Sequence, residues 1–148
     1  MSSPILVGYE RSESAERALD RAILLAHERH ATLMVLAVHD APVDPTGPRA
    51  FGTMGDGSPM VGPFPELPDL HVLLDEARVR VVRGGVKNAK YVWAIGEPGA
   101  LIVETARDNK AQVIVVGQGH HGFLGRAFGA DVAAEVEKHA GIPVEIVD

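Results

Sequence analysis

The stretch VIVVGQGHHGFLGRAFGAD, residues 113–131, decides the fold. Its first four residues form an all-apolar run, which is typical of a strand buried on both faces of a parallel sheet. A glycine-rich loop begins at Gly117, and helical spacing resumes after Asp131. A strand, a glycine-rich loop and a helix start in this order point backbone N–H groups at an anion, for which phosphate is the obvious candidate.

Two interpretations of this loop stay open, because glycines also mark flexible loops that bind nothing. Gly117, Gly119 and Gly122 match the dinucleotide-binding pattern Gly-x-Gly-x-x-Gly. That pattern belongs to the first strand of a βαβ unit, with the helix starting at the glycines. Here the helix starts later, which disfavours a dinucleotide site.

Length, charge and composition limit the classes of protein. The chain has 148 residues and is 46% hydrophobic, which is enough for one domain with a core, 1–148. A net charge of -6, with no run of Lys and Arg, argues against nucleic-acid binding. No apolar run approaches the roughly 20 residues of a membrane span. There is no cysteine and no signal-peptide profile, so we expect a cytoplasmic protein.

Strand-like apolar runs alternate with helical patterns along the chain, which predicts an α/β fold with a mostly parallel sheet. In such sheets the ligand lies beyond the carboxyl ends of the strands, where the strand order reverses. The last strand alternates in polarity and is therefore expected at a sheet edge. The predicted strands span residues 5–7, 32–38, 91–95, 113–116 and 143–147.

Capping residues mark the ends of the predicted helices. Ser12 or Ser14 is the expected N-cap of the first helix, and Asp131 that of the last. The glycines at 84 and 85 are expected to end the second helix, and Pro98 suits the first turn of the third.

Residues 41–69 interrupt the repeating pattern. Seven of the ten prolines lie there, and neither a helical nor a strand period appears. We expect a long loop without regular structure, which is either a lid over the strand ends or disordered.

Several stretches together resemble the universal stress protein family. Residues 5–14, ILVGYERSES, are similar to the opening strand of the family and the turn after it. Residues 96–98, GEP, resemble its third strand-to-helix turn, and residues 113–117 with 139–144 resemble its closing motif. The resemblance covers nearly the whole chain apart from the interruption at 41–69.

The resemblance implies a single-domain, Rossmann-like α/β fold of the adenine nucleotide alpha hydrolase type. Its parallel sheet has five strands in the order 3-2-1-4-5, with helices on both faces. It also implies a homodimer, for which we expect the apolar Val144 and Ile146 of the edge strand to form the contact.

The resemblance further implies that an adenine nucleotide, ATP with Mg²⁺ if it is bound, lies at the strand ends. No catalytic residue and no metal ligand is assigned. The candidate binding residues are Gly8, Tyr9, Glu10, Val38, Val116, Gly117, Gly119, His120, Gly122, Ala130, Asp131 and Val132.

The loop departs from the pattern of family members that bind ATP, which is Gly-x-x-Gly, nine residues, then Gly-Ser or Gly-Thr. In the register without gaps, Gly117 matches the first glycine. His120, Ala130 and Asp131 then replace the second glycine, the third glycine and the hydroxyl residue. A second alignment matches Gly119 and Gly129 but needs a gap before the loop and an extra residue after it.

Asp131 is the departure with the largest expected consequence. A hydroxyl group there would donate to a phosphate, whereas a carboxylate repels it at a cost on the order of kcal/mol. A protonated His120 or His121, or a bridging Mg²⁺, would offset this repulsion. A metal site formed by these three residues is disfavoured, because adjacent loop histidines are more often solvated. After the first strand, Glu10 and Arg11 also replace the usual aspartate and glycine of the family.

Three functional classes follow from these observations. The favoured one is a dimeric regulatory protein of the stress response with a degraded or altered ATP loop. The alternative is a family member that binds ATP or AMP through the same loop. A nucleotide-processing enzyme is disfavoured, because no pair of carboxylates and no activated nucleophile can be assembled from the loops.

Overall fold

Strands and helices alternate in the computed structural model, which describes residues 3–10, 12–40, 50–54, 68–118 and 130–148. None of the helices in these ranges is long and apolar enough to cross a membrane. The elements in chain order are β1 (Ile5–Gly8), α1 (Glu13–Arg29), β2 (Leu33–Asp40), β3 (Ala50–Met54), α2 (Pro68–Arg83), β4 (Ala89–Gly96), α3 (Pro98–Asp108), β5 (Val113–Gly117), α4 (Ala130–His139) and β6 (Val144–Val147).

Five parallel strands lie in the spatial order β4-β2-β1-β5-β6. This confirms the predicted order 3-2-1-4-5, because β4, β5 and β6 are the third, fourth and fifth predicted strands. β5 is flanked on both sides, as its all-apolar run requires, and β6 lies at the sheet edge as predicted.

A sixth strand, β3, extends the sheet beyond β4 and runs antiparallel to it. The expectation of a loop without regular structure over residues 41–69 is therefore wrong for Ala50–Met54. Gly52 lies at the centre of this strand and lowers the intrinsic strand preference of the segment. Because glycine has no side chain, the segment also lacks a clear alternation of apolar and polar residues. It forms by pairing with β4, where Gly52 lies opposite Trp93.

Helices cover both faces of the sheet, as predicted. Successive strand residues point to opposite faces, so Val7, Val35 and Val115 pack under α1 and α2. Leu6, Leu36 and Val116 pack under α3 and α4 on the other face. The two clusters form the core, and the strands between them are buried.

The helix ends follow the capping signals with one exception, at α4, that concerns the site. Ser12 is the N-cap of α1, and its Oγ accepts from the backbone N–H of Ala15 at 3.1 Å. α2 ends before Gly84, and Gly85 takes a left-handed φ of 83°. Pro98 lies in the first turn of α3.

Arginine side chains of α1 tie the edge strand to the body of the fold. Arg21 donates twice to the Glu145 carboxylate, with Nε to Oε2 at 2.9 Å and Nη2 to Oε1 at 3.1 Å. These bonds lower the pKa of Glu145 below its ordinary value. Arg17 donates to the carbonyl oxygen of Asp148 at the end of the chain. Both ends of β6 are thus held against one helix.

Candidate functional site

The strand order reverses between β1 and β5. From β1 the chain passes through α1 to β2 on one side, and from β5 through α4 to β6 on the other. The two strands are parallel neighbours, with Val7 paired to Val115, so their carboxyl ends lie side by side. A crevice at such a point is where open α/β sheets bind ligands.

Gly117 closes one side of this crevice by packing against α1. A Cβ on Gly117 would lie 2.7 Å from the carbonyl carbon of Ser14 and 2.8 Å from the backbone nitrogen of Ala15. Only glycine allows the end of β5 to approach the first turn of α1 this closely. Gly117 is a predicted ligand-binding residue, and the structure shows that packing against α1 requires a glycine at this position.

The side-chain hydroxyl groups of Ser12 and Ser14 lie at the start of α1. The Oγ atoms of Ser12 and Ser14 are 3.3 Å apart, and one donates to the other. Both serines are buried although polar. Ser12 and Ser14 are alternative caps as far as the sequence shows. In the structure, Ser12 caps α1 and Ser14 lies against Gly117.

Tyr9 and Glu10 follow β1 and are buried. The backbone N–H of Tyr9 donates to the carbonyl oxygen of Leu36 at 2.9 Å, which prolongs the pairing with β2. Glu10 is only 1% exposed. Burial of a carboxyl group is costly unless the group interacts within the protein, and Glu10 does interact within the chain. The side chain of Glu10 is therefore enclosed by the protein directly after β1.

The apolar candidates contribute core side chains. Val38 and Val116 are fully buried in the cluster under α3 and α4, and Val132 packs against that cluster. Any contact of Val38 or Val116 with a ligand therefore belongs to the backbone at the strand ends. Gly8 ends β1 beside them.

The prediction that Asp131 is the N-cap of the last helix is wrong. α4 begins at Ala130, so Asp131 is its second residue and does not precede it. Capping signals locate a helix start only to within a residue or two, and aspartate is favourable in the first turn as well as at the cap. Asp131 thus lies in the first turn of α4.

Three candidate residues, Gly119, His120 and Gly122, lie outside the described residues. Within the described ranges, no group of three His, Asp or Glu side chains is arranged to hold a metal ion.

The universal stress protein family model matches residues 1–148. The chain belongs to the universal stress protein family.

Known members of the family match nearly the whole of this universal stress protein. Rv1636, a universal stress protein of Mycobacterium tuberculosis, is 31% identical over 145 residues, which cover 97% of this chain and 94% of that protein. A crystal structure of a universal stress protein in complex with cAMP has a TM-score of 0.72 and 25% identity, and covers 99% of this chain and 97% of that chain.

A third comparison supports the fold alone. The universal stress protein of Archaeoglobus fulgidus in complex with dAMP is 24% identical, with a TM-score of 0.69 over 99% of this chain and 98% of that chain. The shared fold confirms the five-stranded parallel order that the resemblance implied.

Proposed function

We propose that this universal stress protein is a cytoplasmic, dimeric regulator that binds an adenine nucleotide with a single phosphate group. Its altered loop disfavours ATP. The position of Asp131 carries the proposal, because this second residue of α4 is acidic where the family pattern of members that bind ATP has a hydroxyl group. The 25%-identical relative in complex with cAMP supports a ligand of this size in the same fold.

Charge is the physical reason for selecting one phosphate. The first turn of a helix offers free N–H groups and a positive dipole end to an anion. A carboxylate in that turn offsets part of this attraction, and its repulsion grows with the number of phosphate charges nearby. A cyclic or simple monophosphate carries far less charge than a triphosphate, so the repulsion costs it less binding free energy.

The proposal assigns binding and no catalysis. Ser12 and Ser14 are the hydroxyl groups that the described crevice offers, and both are engaged, Ser12 as the cap of α1 and Ser14 with Ser12. A regulator of this kind would report the level of its nucleotide to the dimer or to a partner.

Titration calorimetry tests the nucleotide assignment, with cAMP and AMP compared with Mg²⁺-ATP, and with GMP as the control for the base. We expect cAMP or AMP to bind at least about tenfold more tightly than ATP, which corresponds to about 1.4 kcal/mol. Mass spectrometry of nucleotide released from the natively purified protein gives an independent measure. ATP binding as tight as that of cAMP, or no binding of any adenine nucleotide, would contradict the proposal.

The dimer is assigned to the free edge of β6. Ile146 is 37% exposed on this strand, whereas Val144 is half-buried and packs against the core under α3 and α4. A charge at Ile146 would therefore disturb an edge contact while sparing the core, which a charge at Val144 would not do.

We expect the wild-type chain to sediment as a dimer at micromolar concentration and Ile146→Asp to sediment as a monomer. Leu24→Asp is the matched control, because Leu24 is an apolar residue of α1 that is 48% exposed. It should leave the dimer unchanged. A wild-type monomer, or an Ile146→Asp dimer at the same concentration, would rule out the β6 contact.

A further inference from the structure

The outward side of α2 is unusually apolar for a surface helix. Its inward side packs Leu73, Leu74, Ala77 and Val81 into the core. Three valines lie on the opposite side, where Val72 is 42% exposed, Val79 is 49% exposed and Val82 is 63% exposed. Spacings of seven and three residues place them along one stripe. Nothing in the described parts of the chain covers this stripe.

Charged residues divide this side of α2 into two halves of opposite sign. Asp75 and Glu76 lie one turn before Val79, and Arg83 lies one turn after it. All three are exposed. Arg83 forms no ion pair with the described residues, in contrast to Arg80, which pairs with Asp20 at 2.8 Å. The α2 face comprises Val72, Asp75, Glu76, Val79, Val82 and Arg83.

We propose that the α2 face binds the same face of a second copy of this chain, with the two helices antiparallel. A twofold axis beside Val79 would place Val79 against Val79 of the partner subunit. It would also bring Asp75 opposite the partner subunit's Arg83, and the reverse contact would follow by symmetry. A residue four positions before the axis then meets one four positions after it, so each acidic half faces a basic half.

The pattern of charge selects this occupant. A surface with acid on one side of its centre and base on the other is complementary to itself in the antiparallel arrangement. In a parallel arrangement, acid would face acid and base would face base, at a cost. Glu76 already interacts within its own chain, which leaves Asp75 as the carboxylate for the contact with arginine.

The α2 face is separate from the edge of β6. α2 packs over β2 and β4, toward the opposite end of the sheet from β6. One chain can therefore use both surfaces, and two self-complementary contacts per chain build a dimer of dimers. Three valines form a small patch, so this contact belongs to the weak class of interface, with a dissociation constant on the order of 0.1–1 mM.

Sedimentation velocity on Ile146→Asp isolates this contact from the one at β6. Over about 10 µM to about 1 mM, we expect Ile146→Asp to pass from monomer to dimer. Adding Val79→Asp should raise the dissociation constant at least about tenfold, because it buries a charge at the axis. Adding Leu24→Asp, at nearly the same exposure on α1, should change nothing.

A charge swap tests the antiparallel arrangement itself. Arg83→Glu in the same background should weaken the association severalfold, and Asp75→Arg together with Arg83→Glu should restore it. Circular dichroism checks that the melting temperature of each variant matches that of Ile146→Asp. If Val79→Asp does not fold, Arg83→Glu still tests the association. Ile146→Asp that stays monomeric throughout, or a swap that restores nothing, would overturn the proposal. Neither outcome depends on whether a nucleotide binds.

Discussion

We expect Gly117→Ala to lower the free energy of unfolding by about 3 kcal/mol, which is at the upper end for overpacking. The added Cβ would lie 2.7 Å and 2.8 Å from backbone atoms of Ser14 and Ala15. These atoms belong to the first turn of α1 and cannot move without the helix. The φ of Gly117 is not positive, so the cost is steric and does not come from backbone strain.

Gly99→Ala is the matched control for this prediction. A Cβ there would lie 2.9 Å from Oε2 of Glu135, at the end of a flexible side chain that can move aside. Alanine is also a better helix former than glycine, so the change does not weaken α3. Urea unfolding followed by circular dichroism should show a large loss for Gly117→Ala and little or none for Gly99→Ala. Equal stabilities of the two variants would mean that β5 and α1 can separate without cost.

We expect Asp131→Ser to strengthen the binding of Mg²⁺-ATP about tenfold, because one removed repulsion is worth roughly 1.4 kcal/mol. The change also introduces the hydroxyl group of the family pattern in the first turn of α4. Asp131→Asn separates the two effects, since it removes the charge without adding the hydroxyl group. Adding His120→Gly to Asp131→Ser should improve ATP binding further.

Glu137→Gln is the control for net charge, because Glu137 is exposed and lies far from the start of α4. It should leave the ATP affinity unchanged in calorimetry, and binding of cAMP should change less than binding of ATP in Asp131→Ser. Tight ATP binding by the wild-type chain that Asp131→Ser does not alter would place the carboxylate away from the phosphates. Failure of both proteins to bind ATP would direct attention to Glu10.

Much of the fold could be predicted because its signals are local. The all-apolar run at 113–116 and the paired glycines at 84–85 each mark an element by composition. β3 could not be predicted in this way, because the segment around Gly52 forms a strand only through its pairing with β4, where Gly52 lies opposite Trp93. Tertiary pairing overrides local preference in such strands.

The strand reversal was predictable, whereas the side-chain contacts around it were not. The reversal between β1 and β5 follows from strand order, and the resemblance supplied that order. The packing role of Gly117 and the bond from Arg21 to Glu145 join residues far apart in sequence, so no local pattern contains them. The candidate residues at 119, 120 and 122 lie outside the described ranges and stay predictions.

Both edges of the sheet that the described strands form are poor starting points for a fibre. A sheet with two long free edges can add strands from other copies at both ends, which is the geometry of a fibre. Here one edge is the five-residue β3, which runs antiparallel to its neighbour within a segment rich in proline. The other edge is the four-residue β6, which directly follows Pro143. Short edges near proline are poor templates for further pairing, so an assembly formed through β6, as proposed, would end at two chains.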